Sequence, residues 1–386
     1  MVHRIISPLK TRSFFLFGAR GTGKSTFLRQ FFKPEEALWI DLLDIEQEDR
    51  YARRPNELAE HLQALHPKPS WVVVDEIQKV PRLLDVIHAQ IEQGSVHFAM
   101  TGSSARKLKR QSTNLLAGRA SIYDLFPFTH TELADAFNLD SALKFGTLPA
   151  VWACPGEEEK KAFLRAYALT YLKEEIWAEH WIQNLDPFRR FLEVAAQCCG
   201  ELINFTNIAR DVGADVKTVQ SYFQILEDTL VGFLLEPFHQ SLRKRQTQAP
   251  KFYLFDPGVK RALNRTLNLD LLPGTYDYGK AFEHFVVAEA LRLSSYRQND
   301  FRFSYLRTKD GAEIDLMIER PGLPDALIEI KSSAQVSEQD TRTLEKFLPS
   351  MKNAEAFCLS RDPLAKQIGS VKALPWRDGL RALGIA

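Results

Sequence analysis

The chain has 386 residues, which is too many for one compact core and predicts two or three domains. Its formal net charge is +1 at pH 7, so any contact with nucleic acid has to come from local basic patches and not from global charge. No apolar run is long enough to span a membrane, no signal-type segment begins the chain, and the four cysteines lack metal-ligand spacing. We therefore expect a cytoplasmic protein without a membrane partner.

A glycine-rich segment near the N-terminus has the spacing of a phosphate-binding loop, G-x-x-x-x-G-K-S. It follows an apolar run at 14–17 and precedes a helix-like pattern at 26–32. Its backbone N–H groups and the helix N-terminus suit a polyphosphate. Lys24 is expected to contact the β- and γ-phosphates, and Ser25 to place its hydroxyl on a magnesium ion. The candidate nucleotide-binding residues here are Gly18, Arg20, Gly21, Thr22, Gly23, Lys24, Ser25 and Thr26.

An acidic pair follows a second apolar run, at 71–74, that is typical of a buried strand. Adjacent side chains on a strand point in opposite directions, so the pair has to lie at the strand tip, where the backbone turns. We expect Asp75 to help hold the magnesium ion and Glu76 to polarise the attacking water.

A third apolar run, at 96–100, ends in Thr101 and Ser103. Either side chain is a candidate for sensing the γ-phosphate, and a simple turn leaving the sheet explains them equally well. Together with a strand at 37–42 and helix-like stretches at 56–65 and 83–91, these runs predict a mainly parallel α/β sheet with helices on both faces.

The next segment is rich in arginine and lysine. Arg119 is a candidate arginine finger for the nucleotide of a neighbouring subunit, and an exposed or structurally paired arginine is an equal alternative. The basic cluster at 106–110 is typical of a solvated helix face, with a DNA-facing surface as the alternative.

The pattern then becomes helical, and residues 204–229 resemble a helix-turn-helix followed by a hairpin. Polar residues on the second helix have the chemistry that contacts phosphates and base edges. Three consecutive cations stand at the hairpin tip, where a winged helix carries its wing. The alternative is a helical pair used for packing or dimerisation. The candidate DNA-binding residues are Lys217, Thr218, Gln220, Arg243, Lys244 and Arg245.

The C-terminal part alternates as strands at 312–318 and 326–331, with a helix near Glu283 upstream. Pairing about the intervening turn would bring Asp315 close to Glu329 and Lys331. Two carboxylates and a lysine at one end of a sheet suit a magnesium ion and phosphodiester attack. Asp315 and Glu329 are then the metal ligands, and Glu283 would reach the same metal from its helix. An ordinary ion pair on a solvated strand is the alternative.

These motifs together resemble a family of bacterial and archaeal AAA-type ATPases that join a P-loop domain to a C-terminal winged helix and a restriction-endonuclease-like domain. The nuclease pattern of that family, D…E-x-K with an upstream helix glutamate, is matched by Asp315, Glu329, Lys331 and Glu283. The resemblance implies an α/β P-loop AAA+ core with a helical lid, a winged-helix domain and a C-terminal restriction-endonuclease-like α/β domain of PD-(D/E)xK type. We place these domains at residues 1–126, 127–186, 187–268 and 269–386.

The same resemblance implies ATP and Mg²⁺ as cofactors, DNA as a partner, and a homo-oligomer, of which a hexameric ring is one form. We expect an ATPase that acts on branched or duplex DNA in repair, recombination or defence, with DNA endonuclease activity. Its catalytic residues would be Glu76, Arg119, Glu283, Asp315, Glu329 and Lys331. Two alternatives stay open. The protein could be an ATP-driven DNA translocase or remodeller with a non-catalytic nuclease-like domain, or a nucleotide-gated switch acting on protein partners.

Overall fold

The computed structural model describes residues 2–94, 96–103, 118–171, 185–238, 249–308 and 311–386. The chain forms two compact units. The first comprises Met1–Phe128 with Asp228–Val231, and the second comprises Thr129–Glu227 with Gly232–Ala386. The finer division into four domains stays a prediction.

The first unit is built on a five-stranded sheet in which every pairing is parallel. Strands β1 and β3 are buried along their whole length, because apolar and β-branched residues fill both of their faces. The spatial order is β2-β3-β4-β1-β5, so β4 lies between the strand that precedes the glycine-rich loop and the strand that carries Asp75. The strands are β1 Phe14–Phe17, β2 Ala37–Asp41, β3 Trp71–Asp75, β4 His97–Gly102 and β5 Ser121–Asp124.

Four α-helices are described in the first unit, α1 Lys24–Phe31, α2 Ile45–Arg53, α3 Glu57–Ala64 and α4 Leu83–Glu92, and a short 3-10 turn spans Ile77–Lys79. The sequence analysis did not identify α2, because Tyr51 is its one buried residue and the rest of its pattern is charged. Its capping signal is Asp44, whose carboxylate accepts a hydrogen bond from the backbone N–H of Glu46 at 2.9 Å. The core contains Phe15, Leu62, Val72 and Ile87.

The second unit contains a six-stranded sheet of order β12-β13-β11-β10-β9-β8. The expected pairing about the Pro321–Gly322 turn is present, since β10 runs antiparallel to β9 with Ile328 opposite Leu316. Met317 and Leu327 are also fully buried, so both faces of these strands are apolar and not one face alone. The strands are β8 Arg302–Arg307, β9 Glu313–Glu319, β10 Asp325–Lys331, β11 Ala354–Ser360, β12 Lys366–Ile368 and β13 Val371–Pro375. Three helices accompany the sheet, α13 Tyr276–Tyr296, α14 Glu338–Phe347 and α15 Trp376–Ala382.

The predicted helix-turn-helix region contains two helices, with one further helix before them and a hairpin after them. The first helix of the region begins at Phe205, and Asn204 caps it by accepting a hydrogen bond from Asn207 N at 3.0 Å. Gly213 ends that helix with a φ of 72°. The elements are α9 Leu185–Gln197, α10 Phe205–Val212, α11 Val216–Asp228, β6 Gly232–Leu235 and β7 Lys251–Leu254, with β6 and β7 paired antiparallel.

The helices expected to form a lid belong to the second unit. Their segment is tied to the rest of that unit by polar contacts, including Tyr278 Oη donating to Asp140 at 2.7 Å and Thr147 N donating to the Asp256 carboxylate at 2.8 Å. They are α5 His130–Leu133, α6 Leu139–Phe145, α7 Pro149–Ala153 and α8 Glu157–Ala166, and α6 and α8 pack on α12 Pro257–Leu263. Within the described ranges, no helix combines the length and the apolarity that crossing a membrane requires.

Candidate functional site

The glycine-rich loop leaves the carboxyl end of β1 and closes on the neighbouring strand β4, where Gly18 N donates to Gly102 O at 3.3 Å. Gly21 and Gly23 have φ values of 81° and 90°, which favour glycine. A Cβ atom on Gly18 would lie 2.4 Å from the carbonyl oxygen of Leu125 and 2.7 Å from Thr22 Oγ1. The loop therefore needs glycine at position 18 for space and at positions 21 and 23 for conformation.

Lys24 is the first residue of α1, and its side chain is buried. Its ammonium group donates to Gly18 O at 2.8 Å and lies 3.8 Å from Glu76 Oε1. A buried cation thus stands between the loop and the acidic pair, where it can exchange its carbonyl partner for an anion.

The acidic pair lies at the tip of β3, as expected. Glu76 has a φ of 59°, so the backbone leaves the extended conformation at this residue. The Thr101 hydroxyl donates to Asp75 Oδ1 and accepts from Glu76 N at 2.9 Å. Because Thr101 gives its proton to Asp75, this hydroxyl positions the acidic pair and does not present a donor to a phosphate in this arrangement.

Gln78 is a part of this edge that the sequence analysis missed. Its amide group donates to Glu76 Oε2 and to Ser103 Oγ, the latter at 3.3 Å. Its own amide oxygen is buried and has no hydrogen-bond partner among the described residues. Gly102 lies against it, since a Cβ there would be 2.9 Å from that oxygen. No sequence signal beyond its place just after the acidic pair marks this glutamine.

The structure does not place every candidate residue of the first unit together. Arg20 and Thr26 are exposed and Ser25 is half-buried. Arg119 precedes β5, near the amino-terminal edge of the parallel sheet, whereas the glycine-rich loop lies at the carboxyl edge. There it donates to Glu92 Oε1 at 2.7 Å. This position therefore does not favour a role for Arg119 at the nucleotide of its own chain. A role at the nucleotide of a neighbouring subunit stays a prediction.

A second cluster lies in the second unit, where Asp315 on β9 faces β10. Asp315 Oδ2 accepts a hydrogen bond from Ile330 N at 2.8 Å, and Lys331 Nζ lies 2.6 Å from Glu329 Oε1. Glu329 is 6% exposed, and its Oε2 has no hydrogen-bond partner among the described residues. We call the four residues Glu283, Glu313, Asp315 and Glu329, with their cations, the acidic centre.

Glu283 reaches this centre from α13 with both of its carboxylate oxygens engaged. Tyr253 Oη donates to its Oε1 at 2.8 Å, and Lys280 Nζ lies 3.3 Å from its Oε2. Lys251 Nζ lies 3.8 Å from Oε1. The sequence analysis did not assign Lys251, Tyr253 or Lys280 to the site.

The expectation that Glu283 reaches the metal ion of Asp315 and Glu329, directly or through water, stays a prediction. In the part of the chain that the structure describes, no three His, Cys, Asp or Glu side chains are arranged to hold a metal ion. Within the described residues, Glu283 forms ion pairs with Lys251 and Lys280, and Glu329 forms one with Lys331.

The pKa values of both carboxyl groups are raised, with burial as the largest cause. Burial, with the carboxylates of Glu329 and Glu283, raises the pKa of Asp315 well above its usual value. Burial also raises the pKa of Glu329, although Lys331 opposes the shift. A cation bound between them would act in the opposite direction.

The predicted DNA-facing helix, α11, buries one side and exposes the other. Lys217, Gln220, Ser221 and Gln224 are exposed. The Thr218 hydroxyl donates to Asp215 at 2.5 Å, so this side chain takes part in capping the helix and is half-buried. Arg243, Lys244 and Arg245, like the basic cluster at 106–110, lie outside the described residues.

Three family models match the chain in succession. Residues 10–134 match the model described as "AAA domain". Residues 136–270 and 278–378 match models described as "Domain of unknown function (DUF8612)" and "Domain of unknown function (DUF4143)". The phosphate-binding loop and the all-parallel sheet of the first unit fit this similarity to an AAA-type P-loop domain. The acidic centre combines residues from the ranges of the second and third matches.

Curated relatives are similar over most of the chain. An uncharacterized protein of Mycobacterium tuberculosis is 26% identical over 317 residues, covering 80% of this chain and 68% of that protein. An uncharacterized protein of Methanocaldococcus jannaschii is 23% identical over 432 residues, covering 98% of this chain and 86% of its own. Domain III of the replication initiation protein DnaA of Thermotoga maritima covers 55% of this chain and 83% of its own at 13% identity. Its TM-score of 0.21 is too low to support a shared fold.

Proposed function

We propose that the protein is a magnesium-dependent ATPase whose nucleotide site is the carboxyl edge of the sheet in the first unit. One observation carries this proposal. The buried ammonium group of Lys24 lies 3.8 Å from Glu76 on the edge where Thr101 fixes Asp75. A cation for the phosphates and an acid for the attacking water are thus held next to each other.

Each residue of this edge has a distinct role in the proposal. Lys24 exchanges Gly18 O for the β- and γ-phosphates, and Glu76 orients the attacking water. The hydroxyl of Ser25 and the carboxylate of Asp75 are hard oxygen ligands, which suit Mg²⁺. A bound magnesium ion would neutralise charge that develops on the phosphates.

Replacing Lys24 by alanine is expected to weaken ATP binding by about 10- to 100-fold, because one charge-assisted contact contributes roughly 1.5–3 kcal/mol. ATP hydrolysis is expected to fall below detection. Binding of a fluorescent ATP analogue and phosphate release measure the two effects. Lys68→Ala, which removes an exposed lysine of the same unit, is the matched control and should leave both unchanged. Wild-type affinity in Lys24→Ala would remove the phosphate-binding role from this lysine.

We further propose that the protein acts on DNA through a winged helix formed by α10, α11 and the β6–β7 hairpin. The exposed side of α11 carries Lys217 and Gln220, which can donate to phosphates and base edges. Its buried side, with Val219 and Phe223, anchors the helix in the unit. An exposed polar helix side followed by a hairpin is the arrangement that supports this proposal.

Replacing Lys217 by alanine is expected to weaken duplex DNA binding and to reduce the slope of log affinity against log salt by about one. The reason is that one phosphate contact releases about one counterion. Fluorescence anisotropy across a salt series measures the slope, and Lys352→Ala, another exposed lysine of the second unit, is the control. An unchanged slope would place the DNA surface elsewhere.

A second activity, metal-dependent cleavage of a phosphodiester, is proposed for the acidic centre. The observation that favours it is the buried and unpartnered Oε2 of Glu329 beside Asp315. Mg²⁺ is commonly held by one or two carboxylates together with substrate phosphates, so this pair fits the ion. A bound divalent ion would act as a Lewis acid on the phosphate. Lys331 would orient water or stabilise the charge that develops on the phosphorus oxygens.

We also propose a homo-oligomer in which Arg119 serves a neighbouring subunit's nucleotide. Its place beside Glu92, away from the loop of its own chain, supports this arrangement. If the acidic centre only grips DNA, the protein is an ATP-driven remodeller. If DNA has no effect on ATP turnover, we propose instead that the protein is a nucleotide-gated switch that acts on protein partners.

A further inference from the structure

Lys251 is a buried lysine that enters the acidic centre from the hairpin strand β7. Its side chain is 3% exposed, and its ammonium group contacts the Glu313 carboxylate and lies 3.8 Å from Glu283 Oε1. The ring of Tyr305 is 5.5 Å away. The two carboxylates beside the ammonium group of Lys251 favour its charged form.

The acidic centre consists of two halves that differ in how many protein cations lie beside their carboxylates. In the half around Lys251, Glu283 also contacts Lys280, and Arg307 lies 3.6 Å from Glu313 Oε2. Every carboxylate of this half thus has a protein cation beside it.

The other half is formed by Asp315 and Glu329. Lys331 approaches Glu329 on one oxygen and is 35% exposed, while the second oxygen of Glu329 is buried without a partner. Within the described residues, Lys251 forms its ion pairs with Glu283 and Glu313 and with neither carboxylate of this half. This half therefore has one cation, Lys331, for two carboxylates, and Asp315 has no ion pair within the described residues.

A two-metal site holds its two ions about 3.5–4 Å apart, and each ion needs acidic ligands. In this protein the carboxylates of Glu283 and Glu313, which could hold one of the two ions, surround the ammonium group of Lys251. We propose that Lys251 takes the place of a second metal ion, so that the acidic centre binds one divalent cation, at Asp315 and Glu329, and not a pair. This inference rests on the metal-dependent activity proposed above. Lys251 is then a positioning residue that sets how many ions the centre accepts.

The test is a titration of the nucleotide-free full-length protein with Mn²⁺, in which electron paramagnetic resonance measures free and bound ion. The wild type should bind one Mn²⁺ per chain that Asp315→Asn loses. Lys251→Met, which keeps the length of the side chain and removes its charge, should gain one further Mn²⁺, held by Glu283 and Glu313. Lys251→Arg, which keeps the charge, should bind one, as the wild type does.

The double variant Lys251→Met/Glu313→Gln controls for the identity of the added site and should return to one ion. A Lys251→Met protein that folds and still binds one ion overturns the inference. The wild type provides a second test that does not depend on the folding of a variant. A spin-coupled manganese pair in the wild type that Asp315→Asn abolishes also overturns the inference.

These results separate the inference from the proposal on which it rests. If the wild type and Asp315→Asn bind the same amount of Mn²⁺, the metal site of the proposed nuclease activity is wrong. If the wild type binds one ion that depends on Asp315 and Lys251→Met does not gain another, the metal site stands and only the role of Lys251 is lost.

Discussion

Glu76→Gln protein is expected to bind ATP as the wild type does and to hydrolyse it about 10²- to 10⁴-fold more slowly, the usual effect of losing a general base. The substitution keeps the size of the side chain and its contact with Gln78. It removes the negative charge beside Lys24 that would orient the attacking water. Phosphate release under saturating ATP measures the rate, and an ATP-analogue titration measures the binding.

The matched control for this prediction is Glu35→Gln, which neutralises an exposed glutamate of the same unit and should leave the rate unchanged. Turnover at the wild-type rate in Glu76→Gln would assign the activation of water to another group. Because the second acid, Asp75, is bound to Thr101 and lies at the same strand tip, it is the next residue to replace.

The geometry of the nucleotide edge was predictable where the sequence forces a backbone conformation. The glycines of the loop, the buried strands and the acidic pair at a strand tip all follow from spacing and hydrophobic patterning. The order of the strands does not, because it depends on tertiary pairing. That order puts Thr101 beside Asp75 and uses its hydroxyl to position the acids. Gln78 was missed for the same reason, since its partner Ser103 comes from a segment that is distant in sequence.

In the acidic centre of the second unit, too, contacts between distant segments could not be predicted from the sequence. Strand periodicity predicted that Asp315 would lie near Glu329, and the register with Ile328 opposite Leu316 agrees with it. The periodicity gave no indication of Lys251, because that residue belongs to a hairpin strand far away in sequence. From the sequence, Lys251 is simply the first residue of a buried strand. Contacts between distant segments therefore decide which carboxylates are left without a cation.

Asp315→Asn is expected to abolish cleavage of DNA in Mg²⁺ or Mn²⁺ while ATP turnover survives. Asparagine still accepts the hydrogen bond from Ile330 N, so the strand pair should stay intact. It removes the charge of a carboxyl group whose pKa is raised by burial and by the carboxylates of Glu329 and Glu283. The measurement is cleavage of duplex, single-stranded and four-way-junction DNA by identically purified proteins.

The control variant is Asp300→Asn, which replaces an exposed aspartate of the same unit and should cut as the wild type does.

Lys331→Met should reduce cleavage by about 10²- to 10³-fold, by analogy with the removal of one donor to a developing oxyanion. If the wild type and Asp315→Asn cut equally, the cleavage comes from a contaminant. If neither cuts any substrate with either metal, the acidic centre only grips DNA, and the ATPase is a remodeller. If the acidic centre binds DNA without cutting it, Lys331→Met should still weaken DNA binding, because this variant removes a half-exposed cation from the centre.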